Sequence, residues 1–365
     1  MSIKEVVRQD DTWMALDPVV GCLKNCQYCF MQTYGMTPKN SEIIAEPKEA
    51  IAQLLSSATY HPDSVVMLAS ETDAFMNKKN TEYFKRLINE WTNSKIPNPI
   101  AMVTKCHIPD DFIKFAQESE AKIIFYLSYS GLTKPIEPTT RIEDLKNNFI
   151  RLKNANLPVI HYWRPFLPQN SSPEIINEVA KNVVPYADCS MINGLKINDG
   201  IIERLKTYWP EIEKFKGIDE QIGSVWPKGT REYLKDFMSA EYPNYPIYWT
   251  NSCAVSHQLN RPDFNAFFGT VYCGNSNCPP KQRDLCKKND IPVASREPEL
   301  KLALDKLNIK NDYKITGNSV VMEGSLNHAQ IVYLRQRVNS PIIAPKYICT
   351  NEWSGMVLQR PDIEI

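Results

Sequence analysis

Three cysteines in the first tenth of the sequence are spaced closely enough to share one metal centre. Cys22, Cys26 and Cys29 stand in the stretch VVGCLKNCQYCFMQTYG, with three and then two residues between them. A loop with this spacing can wrap three soft thiolates around a cubane [4Fe–4S] cluster. Three ligands leave one of the four irons open to a small molecule. The alternatives are a zinc loop, which requires a fourth ligand, or three buried thiols without a metal.

Four more cysteines form a second group with 19, 4 and 7 residues between them: Cys253, Cys273, Cys278 and Cys286. Four thiolates can fully ligate a second [4Fe–4S] cluster or a structural zinc ion, and the spacing does not distinguish these from a segment without metal. Either metal would stabilise a segment that is too polar to pack by burial alone. Basic residues stand among these cysteines, either to hold phosphate or as an ordinary solvated surface: Lys281, Arg283, Lys287 and Lys288.

The remaining cysteines are isolated in the sequence and are predicted to be small buried side chains: Cys106, Cys189 and Cys349. Cys106 differs from the other two because it follows Lys105 at the end of a predicted strand. Three histidines are candidate acid–base groups, although a lone histidine is more often structural: His107, His161 and His257.

Short apolar runs alternate with amphipathic segments over the first 250 residues. The runs predict buried strands at 64–70, 99–105, 122–130, 158–168 and 187–197, and helical spacing occurs at 47–58, 80–94, 110–120, 141–156 and 172–184. This alternation predicts right-handed βαβ units, a parallel sheet and an α/β fold. We expect a partial or near-complete (β/α) barrel whose functional groups gather at the carboxyl ends of the strands.

The pattern changes after residue 250, and three domains are predicted. A barrel occupies 1–250, a Cys-rich metal-binding segment of irregular loop occupies 251–290, and a small α+β domain occupies 291–365. A predicted strand in PIYWTNSCAV, at 246–255, should carry Cys253 to the same end of the barrel as the first three cysteines.

The composition limits the kinds of partner. The 365 residues include 42 Lys and Arg against 42 Asp and Glu, so a strongly anionic partner is not indicated, although nucleic acid is not excluded. The first residues lack the apolar core of a signal peptide, and no apolar run is long enough to span a membrane. The sequence therefore predicts a cytoplasmic protein, in which cysteines serve more often as ligands than as disulfides.

The first cysteine group resembles the signature of the radical S-adenosylmethionine superfamily. It follows the first predicted strand, and an aromatic residue, Tyr28, precedes the third cysteine. Four further stretches are similar to the spore photoproduct lyase-like branch: LASETDAF at 68–75, VTKCHIPDDF at 103–112, IEPTTRIEDLKNNFIRLKNANLPV at 136–159 and WRPFLPQN at 163–170. The resemblance covers roughly residues 12–200.

The resemblance implies an enzyme in which S-adenosylmethionine chelates the open iron of the cluster. An electron from a reducing partner of the flavodoxin or ferredoxin type then cleaves the sulfonium, and the 5′-deoxyadenosyl radical takes a hydrogen atom from the substrate. It also implies roles for individual residues. Tyr28 would lie against the adenine, Ser70, Glu71, Thr72 and Asp73 would receive the methionyl amine, Lys105 would reach the carboxylate, Ser128 or Ser130 would approach the ribose, and Arg164 would pair with the carboxylate or an anionic substrate. The alternatives are a helix N-cap for Asp73 and a surface lysine for Lys105.

One departure from the lyase affects the substrate. The lyase carries a cysteine hydrogen donor just ahead of the aspartate after strand 2, where this chain has Ser70 and Glu71 and no thiol. Repair of thymine dimers by that mechanism is therefore not expected, and we expect a nucleotide-like or other small polar substrate. The alternatives are a peptide-modifying enzyme, a nucleic-acid-acting lyase or, in another class, a non-catalytic iron–sulfur or zinc scaffold with 291–365 as an interaction module.

Overall fold

The computed structural model describes residues 5–218, 222–345, 347–348 and 362–365. Within them the strands are β1 (Val7–Gln9), β2 (Met14–Leu16), β3 (Val19–Val20), β4 (Glu42–Ile43), β5 (Val66–Leu68), β6 (Ile100–Thr104), β7 (Ile123–Leu127), β8 (Val159–Trp163), β9 (Cys189–Ile192), β10 (Val225–Trp226), β11 (Ile247–Tyr248), β12 (Tyr313–Thr316), β13 (Ser319–Met322), β14 (Leu326–Asn327), β15 (Ile342–Ile343), β16 (Tyr347–Ile348) and β17 (Ile363–Glu364).

The α-helices of the same ranges are α1 (Phe30–Thr33), α2 (Pro47–Ser56), α3 (Lys78–Asn93), α4 (Asp110–Glu118), α5 (Ile142–Asn154), α6 (Pro173–Val183), α7 (Asp199–Leu205), α8 (Thr230–Glu241), α9 (Asn251–Gln258), α10 (Val271–Asn275), α11 (Pro280–Asn289), α12 (Glu297–Lys306) and α13 (His328–Val338). Short 3₁₀ helices occur at Pro168–Asn170, Pro210–Phe215 and Val293–Arg296.

The main sheet has eight strands in the order β1-β2-β5-β6-β7-β8-β9-β11. β1 and β2 form an antiparallel hairpin, and every later pairing in the sheet is parallel. No backbone pairing in the described parts of the chain joins β1 to β11, so the barrel is open between them. The α/β fold of a partial (β/α) barrel, predicted from the sequence, is confirmed.

The two faces of the strands explain the position of the helices. Alternate strand residues point to opposite faces, and one set, which includes Leu68, Met102 and Phe125, packs against the buried faces of α2 to α6 and α8. The other set, which includes Met67 and Ala101, forms a separate core on the inner face of the barrel. The strands are therefore apolar on both faces, as expected for a parallel sheet.

Residues 251–290 are not irregular loop, and that part of the prediction is wrong. α9, α10 and α11 lie within the segment. α9 forms because Thr250 accepts a hydrogen bond from the Cys253 amide at 3.3 Å, and because Ala254 and Val255 pack on the inner core of the barrel. α11 begins at Pro280, which suits the first helical position. β11 ends at Tyr248, so the predicted strand is shorter than expected and Cys253 belongs to α9.

The carboxy-terminal elements cover the open side of the barrel. α12, α13 and the β12-β13-β15 sheet have their own apolar core. The Arg335 guanidinium donates to the Asp11 carbonyl at 3.1 Å, and the amide of Ala266 donates to the Asn339 side chain at 2.8 Å. Two short strands, β15 and β16, lie within 340–348. The domain boundaries themselves remain a prediction.

Several elements were not predicted from the sequence. Among them are β1, α7, β10 and β17, of which β1 turns the start of the sheet into a hairpin. In the ranges that the structure describes, no helix combines the length and apolar character required to cross a membrane.

Candidate active site

The carboxyl ends of the parallel strands open into a cavity of about 1170 Å³. Most residues that the resemblance implicates border it: Cys22, Cys26, Tyr28, Cys29, Ser70, Glu71, Thr72, Asp73, Lys105, Ser128 and Arg164. They come from loops that follow different strands, which meet because parallel strands end at one edge. Ser130 and the four cysteines of the second group are not among the lining residues.

The loop that carries the first three cysteines is fixed by backbone contacts. Gly21 has a φ of +96°, and a side chain there would approach the Asn40 carbonyl to 2.8 Å, so glycine is required. The Gly21 amide donates to the Glu71 carbonyl at 2.9 Å. From α7, Arg204 donates to the Cys29 carbonyl at 2.8 Å. These contacts tie the loop to β5 and α7.

The three thiols of this loop are suitable ligands for an iron–sulfur cluster. Burial raises the pKa of Cys22 and of Cys26 to about 12, and burial also raises the pKa of Cys29. The thiols are therefore protonated at neutral pH without a metal, and metal binding would release protons. Three soft donors on one loop at the rim of a cavity fit a [4Fe–4S] cluster with an open iron. In the described residues, no three His, Cys, Asp or Glu side chains converge closely enough to hold a single metal ion.

The turn after β5 is organised by Asp17, which the sequence analysis did not single out. Asp17 is fully buried, and its carboxylate accepts hydrogen bonds from the Ser70 amide and hydroxyl, both at 2.6 Å, and from the Glu71 amide at 3.1 Å. Ala69 has a φ of 65°, so the chain turns sharply here. Thr72 donates to the Gly21 carbonyl at 2.7 Å. The turn is thereby held against the cysteine loop.

Asp73 joins the ends of two neighbouring strands. Its carboxylate accepts hydrogen bonds from the Lys105 amide at 2.9 Å and the Thr104 hydroxyl at 2.8 Å. The N-cap of α3 is Asn77, whose side chain accepts from the Asn80 amide. The alternative of Asp73 as a helix N-cap is therefore wrong.

Glu137 is the centre of a network that the sequence analysis missed. Its carboxylate accepts hydrogen bonds from the Lys105 ammonium at 2.9 Å, from the Ser130 hydroxyl at 2.8 Å and from the Tyr28 hydroxyl. Lys105 also donates to the Ser128 carbonyl at 3.0 Å. The Lys105 side chain is only 13% exposed, so the surface-lysine alternative is wrong. The sequence could have indicated Glu137, because this residue stands in the stretch beginning IEPTT, which is similar to the lyase-like branch.

The predicted cofactor-binding residues near Glu137 do not all face the cavity. Lys105 and Tyr28 border the cavity, with the ammonium 5.7 Å from the centre of the Tyr28 ring. Ser128 also borders the cavity, whereas Ser130 lies behind Glu137. A buried carboxylate beside Lys105 offsets its charge, and two of the three ammonium hydrogens are engaged.

Arg164 directly follows β8 and borders the cavity. It donates to the Tyr162 hydroxyl at 3.0 Å, and its guanidinium lies 5.3 Å from the centre of the Tyr162 ring. This contact fixes the guanidinium at the cavity wall, where it can meet a carboxylate or another anion.

An acidic network surrounds Arg8 on the β1–β2 hairpin. Arg8 donates to Glu71 Oε1 at 2.9 Å, to Asp10 Oδ1 at 2.9 Å and to the Ser70 hydroxyl at 3.2 Å. Burial raises the pKa of Glu71 to about 8, and the nearby Asp17 contributes to the increase. Burial also raises the pKa of Asp17. No sequence signal pointed to this network because β1 was not predicted.

The second cysteine group lies behind the cavity wall. Cys253 is in the first turn of α9, Cys273 is on α10, Cys278 precedes α11 and Cys286 is on α11. Burial raises the pKa of Cys253 and that of Cys286, and it raises the pKa of Cys278 to about 11. Neighbouring thiols of the group add to each of these increases. The structure therefore brings the four thiols within electrostatic reach of one another.

Asp263 connects two members of the second group. Its amide donates to Cys286 Sγ at 3.3 Å, and its Oδ1 lies 3.8 Å from Cys253 Sγ. The same carboxylate accepts from the Ser252 hydroxyl at 2.6 Å and from the Phe267 amide at 2.9 Å. Asp263 is buried, and the sequence analysis did not single it out.

The four basic residues near the second group lie on α11. Arg283 donates to the Cys278 carbonyl at 3.2 Å and to the Ser276 carbonyl at 3.1 Å, so it braces the loop between α10 and α11. Lys281, Lys287 and Lys288 stay candidates for phosphate binding or a solvated surface.

Two of the isolated cysteines and the three candidate acid–base histidines lie outside the main cavity: Cys106, Cys189, His107, His161 and His257. Cys189 is fully buried in the inner core, as predicted, and Cys106 is buried beside a separate cavity of about 620 Å³ that His107 also borders. Cys349 lies outside the described residues. His161 is bonded to the Tyr129 carbonyl at 2.8 Å, and burial lowers its pKa to about 3, so it is a neutral core residue. Burial also lowers the pKa of His257.

Comparisons with known proteins establish the fold. No protein-family model matches the sequence, and no curated protein matches it. A tyrosine-to-phenylalanine variant of spore photoproduct lyase is 16% identical, with 68% of this chain and 80% of that chain covered and a TM-score of 0.51. Spore photoproduct lyase complexed with dinucleoside spore photoproduct is 14% identical, with coverages of 67% and 80% and a TM-score of 0.49.

A third solved structure is SuiB of Streptococcus suis bound to S-adenosylmethionine. It is 11% identical, with 71% of this chain and 55% of that chain covered and a TM-score of 0.48. At such low sequence identity, structural similarity is evidence for a shared fold only. The match with a TM-score of 0.51 provides that evidence. The chain therefore has the partial (β/α)-barrel fold of spore photoproduct lyase, the fold that its sequence motifs indicated.

Proposed function

We propose that this protein is a radical S-adenosylmethionine enzyme. The observation that carries the proposal is the position of Cys22, Cys26 and Cys29, which share one loop at the rim of the same cavity that receives the strand ends. When bound there, a [4Fe–4S] cluster and S-adenosylmethionine would supply the electron and the carbon radical that removes a hydrogen atom from the substrate.

The residues of the chain would bind and orient the cofactor. The Tyr28 ring is held by its hydroxyl bond to Glu137, and it offers an apolar face for adenine. Lys105 keeps one ammonium hydrogen for the methionyl carboxylate, and Arg164 is a second cation for that group or for an anionic substrate. The turn of Ser70, Glu71, Thr72 and Asp73, braced by Asp17, would receive the amine largely through its backbone. Ser128 is the serine with access to the ribose.

The second cysteine group is proposed to hold a second [4Fe–4S] cluster, with zinc as the alternative metal. The supports are the mutual influence of its thiols and the Asp263 contacts to Cys253 and Cys286. Thr250 and Asn251 stand next to Cys253 and border the cavity.

The substrate is proposed to be a nucleotide-like or other small polar molecule. The cavity has room for a small molecule beside the cofactor, and its wall combines aromatic rings with amide side chains, such as Trp249, Tyr272, Asn193 and Asn265. A peptide or nucleic-acid substrate is the alternative within the same reaction class. The reducing partner and the cytoplasmic location stay predictions. A non-catalytic scaffold has less support, because the carboxy-terminal unit forms part of the cavity wall through Asn327 and Gln330.

The experiment that tests the proposal is reductive cleavage of S-adenosylmethionine by the anaerobically reconstituted chain. We expect dithionite to produce 5′-deoxyadenosine with the wild type and with Cys106→Ala, whose thiol lies outside the main cavity. The triple variant Cys22→Ala, Cys26→Ala and Cys29→Ala should produce none. Full product from the triple variant would show that the assignment is wrong.

A further inference from the structure

The cavity wall formed by the β1–β2 hairpin and the turn after β5 carries buried oxygens that lack donors. They are Gln9 Oε1, Asp11 Oδ1 and Glu71 Oε2, and all three residues border the cavity. Gln9 is 5% exposed and Glu71 is 2% exposed. Burying an acceptor without a donor is unfavourable. Since all three residues border the cavity, a molecule held there is a direct source of the missing donors.

The neighbouring contacts identify which oxygens are left over. The Gln9 side-chain nitrogen donates to the Asp10 carbonyl at 2.9 Å and to the Trp13 carbonyl at 3.4 Å, which orients the amide and leaves its oxygen as the unsatisfied atom. Glu71 Oε1 accepts from Arg8, so Oε2 is the second unsatisfied atom. Asp11 Oδ1 lies 3.5 Å from His328 Nε2 without a hydrogen bond between them, so it is the third unsatisfied atom.

The charges around this wall are unbalanced towards the acidic side. Among the described residues, three carboxyl groups, those of Asp10, Asp11 and Asp17, stand beside the two guanidinium groups of Arg8 and Arg335. Burial raises the pKa of Glu71 to about 8, so Glu71 holds a proton at neutral pH, and a cation beside it would favour its ionised form. Arg8 is engaged by Asp10, Ser70 and Glu71, and Arg335 reaches the backbone carbonyl of Asp11. Acceptor oxygens together with excess negative charge favour a ligand that brings both N–H donors and a positive charge.

We propose that Gln9, Asp11 and Glu71 bind a cationic nitrogen group of the substrate, an ammonium, amidinium or guanidinium. Such a group donates several hydrogen bonds and neutralises the wall. The identification of the ligand as the substrate rests on the proposed function, whereas the cation preference rests on the contacts alone.

The test compares two probes of the same shape, benzamidinium and its neutral analogue benzamide. Their dissociation constants are measured by calorimetry on the anaerobically reconstituted full chain, with and without saturating S-adenosylmethionine. We expect benzamidinium to bind at least about tenfold more tightly, the scale of hydrogen bonds to charged groups. The double variant Asp11→Asn and Glu71→Gln should reduce the preference to within about twofold, and the single variant Asp11→Asn should reduce it in part.

The matched control is Asp362→Asn. Asp362 borders the same cavity, but its carboxylate is already paired with the Ser224 hydroxyl at 2.6 Å and with Arg231 at 3.7 Å. The control should keep the full preference for benzamidinium. Equal affinity of the two probes for the wild type, or an equal loss of preference in Asp362→Asn, would overturn the proposal.

Two further readouts separate this proposal from the proposed function. If saturating S-adenosylmethionine displaces benzamidinium, the wall is the amine site of the cofactor and the proposal is wrong. If both bind together, the cation site is separate and the proposal stands. Probe binding does not require formation of 5′-deoxyadenosine, so a chain that prefers benzamidinium but never cleaves S-adenosylmethionine would support the cation site and contradict the enzyme assignment.

Discussion

The two cysteine groups are built from the same ligand type but differ in what surrounds them. Cys22, Cys26 and Cys29 lie on a single loop and border the main cavity. The second group is spread over α9, α10, α11 and the loop before α11, and none of its members borders that cavity. A centre held by three ligands at a cavity keeps a position for a small molecule, whereas four ligands behind a wall close the metal off.

The supporting residues differ in the same way. The first group is surrounded by groups that can also touch a ligand, such as Lys105, Tyr28 and Arg164. The second group is surrounded by groups that are already bonded to one another, with Asp263 at the centre. If both groups hold metal as proposed, we expect the first to be the reactive centre and the second to stabilise the fold or pass electrons.

The largest expected effect comes from removing each group in turn. With two clusters, the wild type should contain about eight iron per chain. Replacing Cys253, Cys273, Cys278 and Cys286 by Ala should leave about four iron and keep the cleavage of S-adenosylmethionine, with loss of stability or of substrate turnover. A zinc centre would instead give about four iron and one zinc in the wild type. Iron and zinc are measured by elemental analysis of the reconstituted protein.

The comparison fails if the second group is not a metal centre. That result would be about four iron and no zinc in the wild type, with all four thiols open to alkylation in the folded protein. Loss of S-adenosylmethionine cleavage in the quadruple variant, with the first cluster still present, would also contradict the separation of roles.

The next effect concerns Lys105, which the structure pairs with Glu137. If Lys105 also binds the methionyl carboxylate, Lys105→Ala should weaken S-adenosylmethionine binding by roughly 1.5–3 kcal/mol, the range for hydrogen bonds to charged groups. The variant also leaves the Glu137 carboxylate buried without its cation, which is unfavourable by itself. The dissociation constant is measured by calorimetry on the reconstituted protein.

A double variant distinguishes the two roles of Lys105. Lys105→Ala combined with Glu137→Gln removes the unpaired charge, so a purely structural role predicts recovery of binding. We expect no recovery, because the contact to the carboxylate is absent in both variants. Restored affinity in the double variant would show that Lys105 affects binding only by pairing with the Glu137 carboxylate.

The part of this site that could be predicted from sequence is the part that follows a local pattern. The cysteine spacing and the alternating apolar runs located the loop and the strand ends, because period and spacing are local properties. The role of Lys105 came from the resemblance to the lyase-like branch. Arg8 and Asp17 were missed because β1 is short and its contacts to the turn after β5 join residues far apart in the chain. α9 was missed because it is apolar towards the inside of the barrel, where no surface stripe marks a helix.

Asp263 tests whether the second group depends on its surroundings. Its carboxylate holds the segment that positions Cys253 and Cys286, so Asp263→Asn should lower the metal affinity of this centre by about 10- to 100-fold, as for other residues that orient metal ligands. The first cluster should be unaffected. Iron release to a chelator is followed for both centres. Asp188→Asn is the control, since Asp188 accepts a bond from Gln258 at the other end of α9 at 3.0 Å. Equal iron release in both variants would show that Asp263 does not act on the metal centre.

The smallest expected effect concerns the acid–base behaviour of Glu71, which borders the cavity. In the folded protein burial raises the pKa of Glu71 to about 8, against an ordinary value of 4.5, so the folded state keeps a proton that the unfolded chain has lost. Between these two values the unfolded chain binds fewer protons, and the free energy of unfolding therefore falls as the pH rises. Glu71→Gln removes this contribution. We expect denaturant unfolding to show a weaker decline in stability from pH 5 to pH 8 for the variant than for the wild type, while Asp362→Asn should follow the wild type. Parallel curves for Glu71→Gln and the wild type would mean that Glu71 is ionised in the folded state, so that a carboxylate, and not a carboxylic acid, faces the cavity.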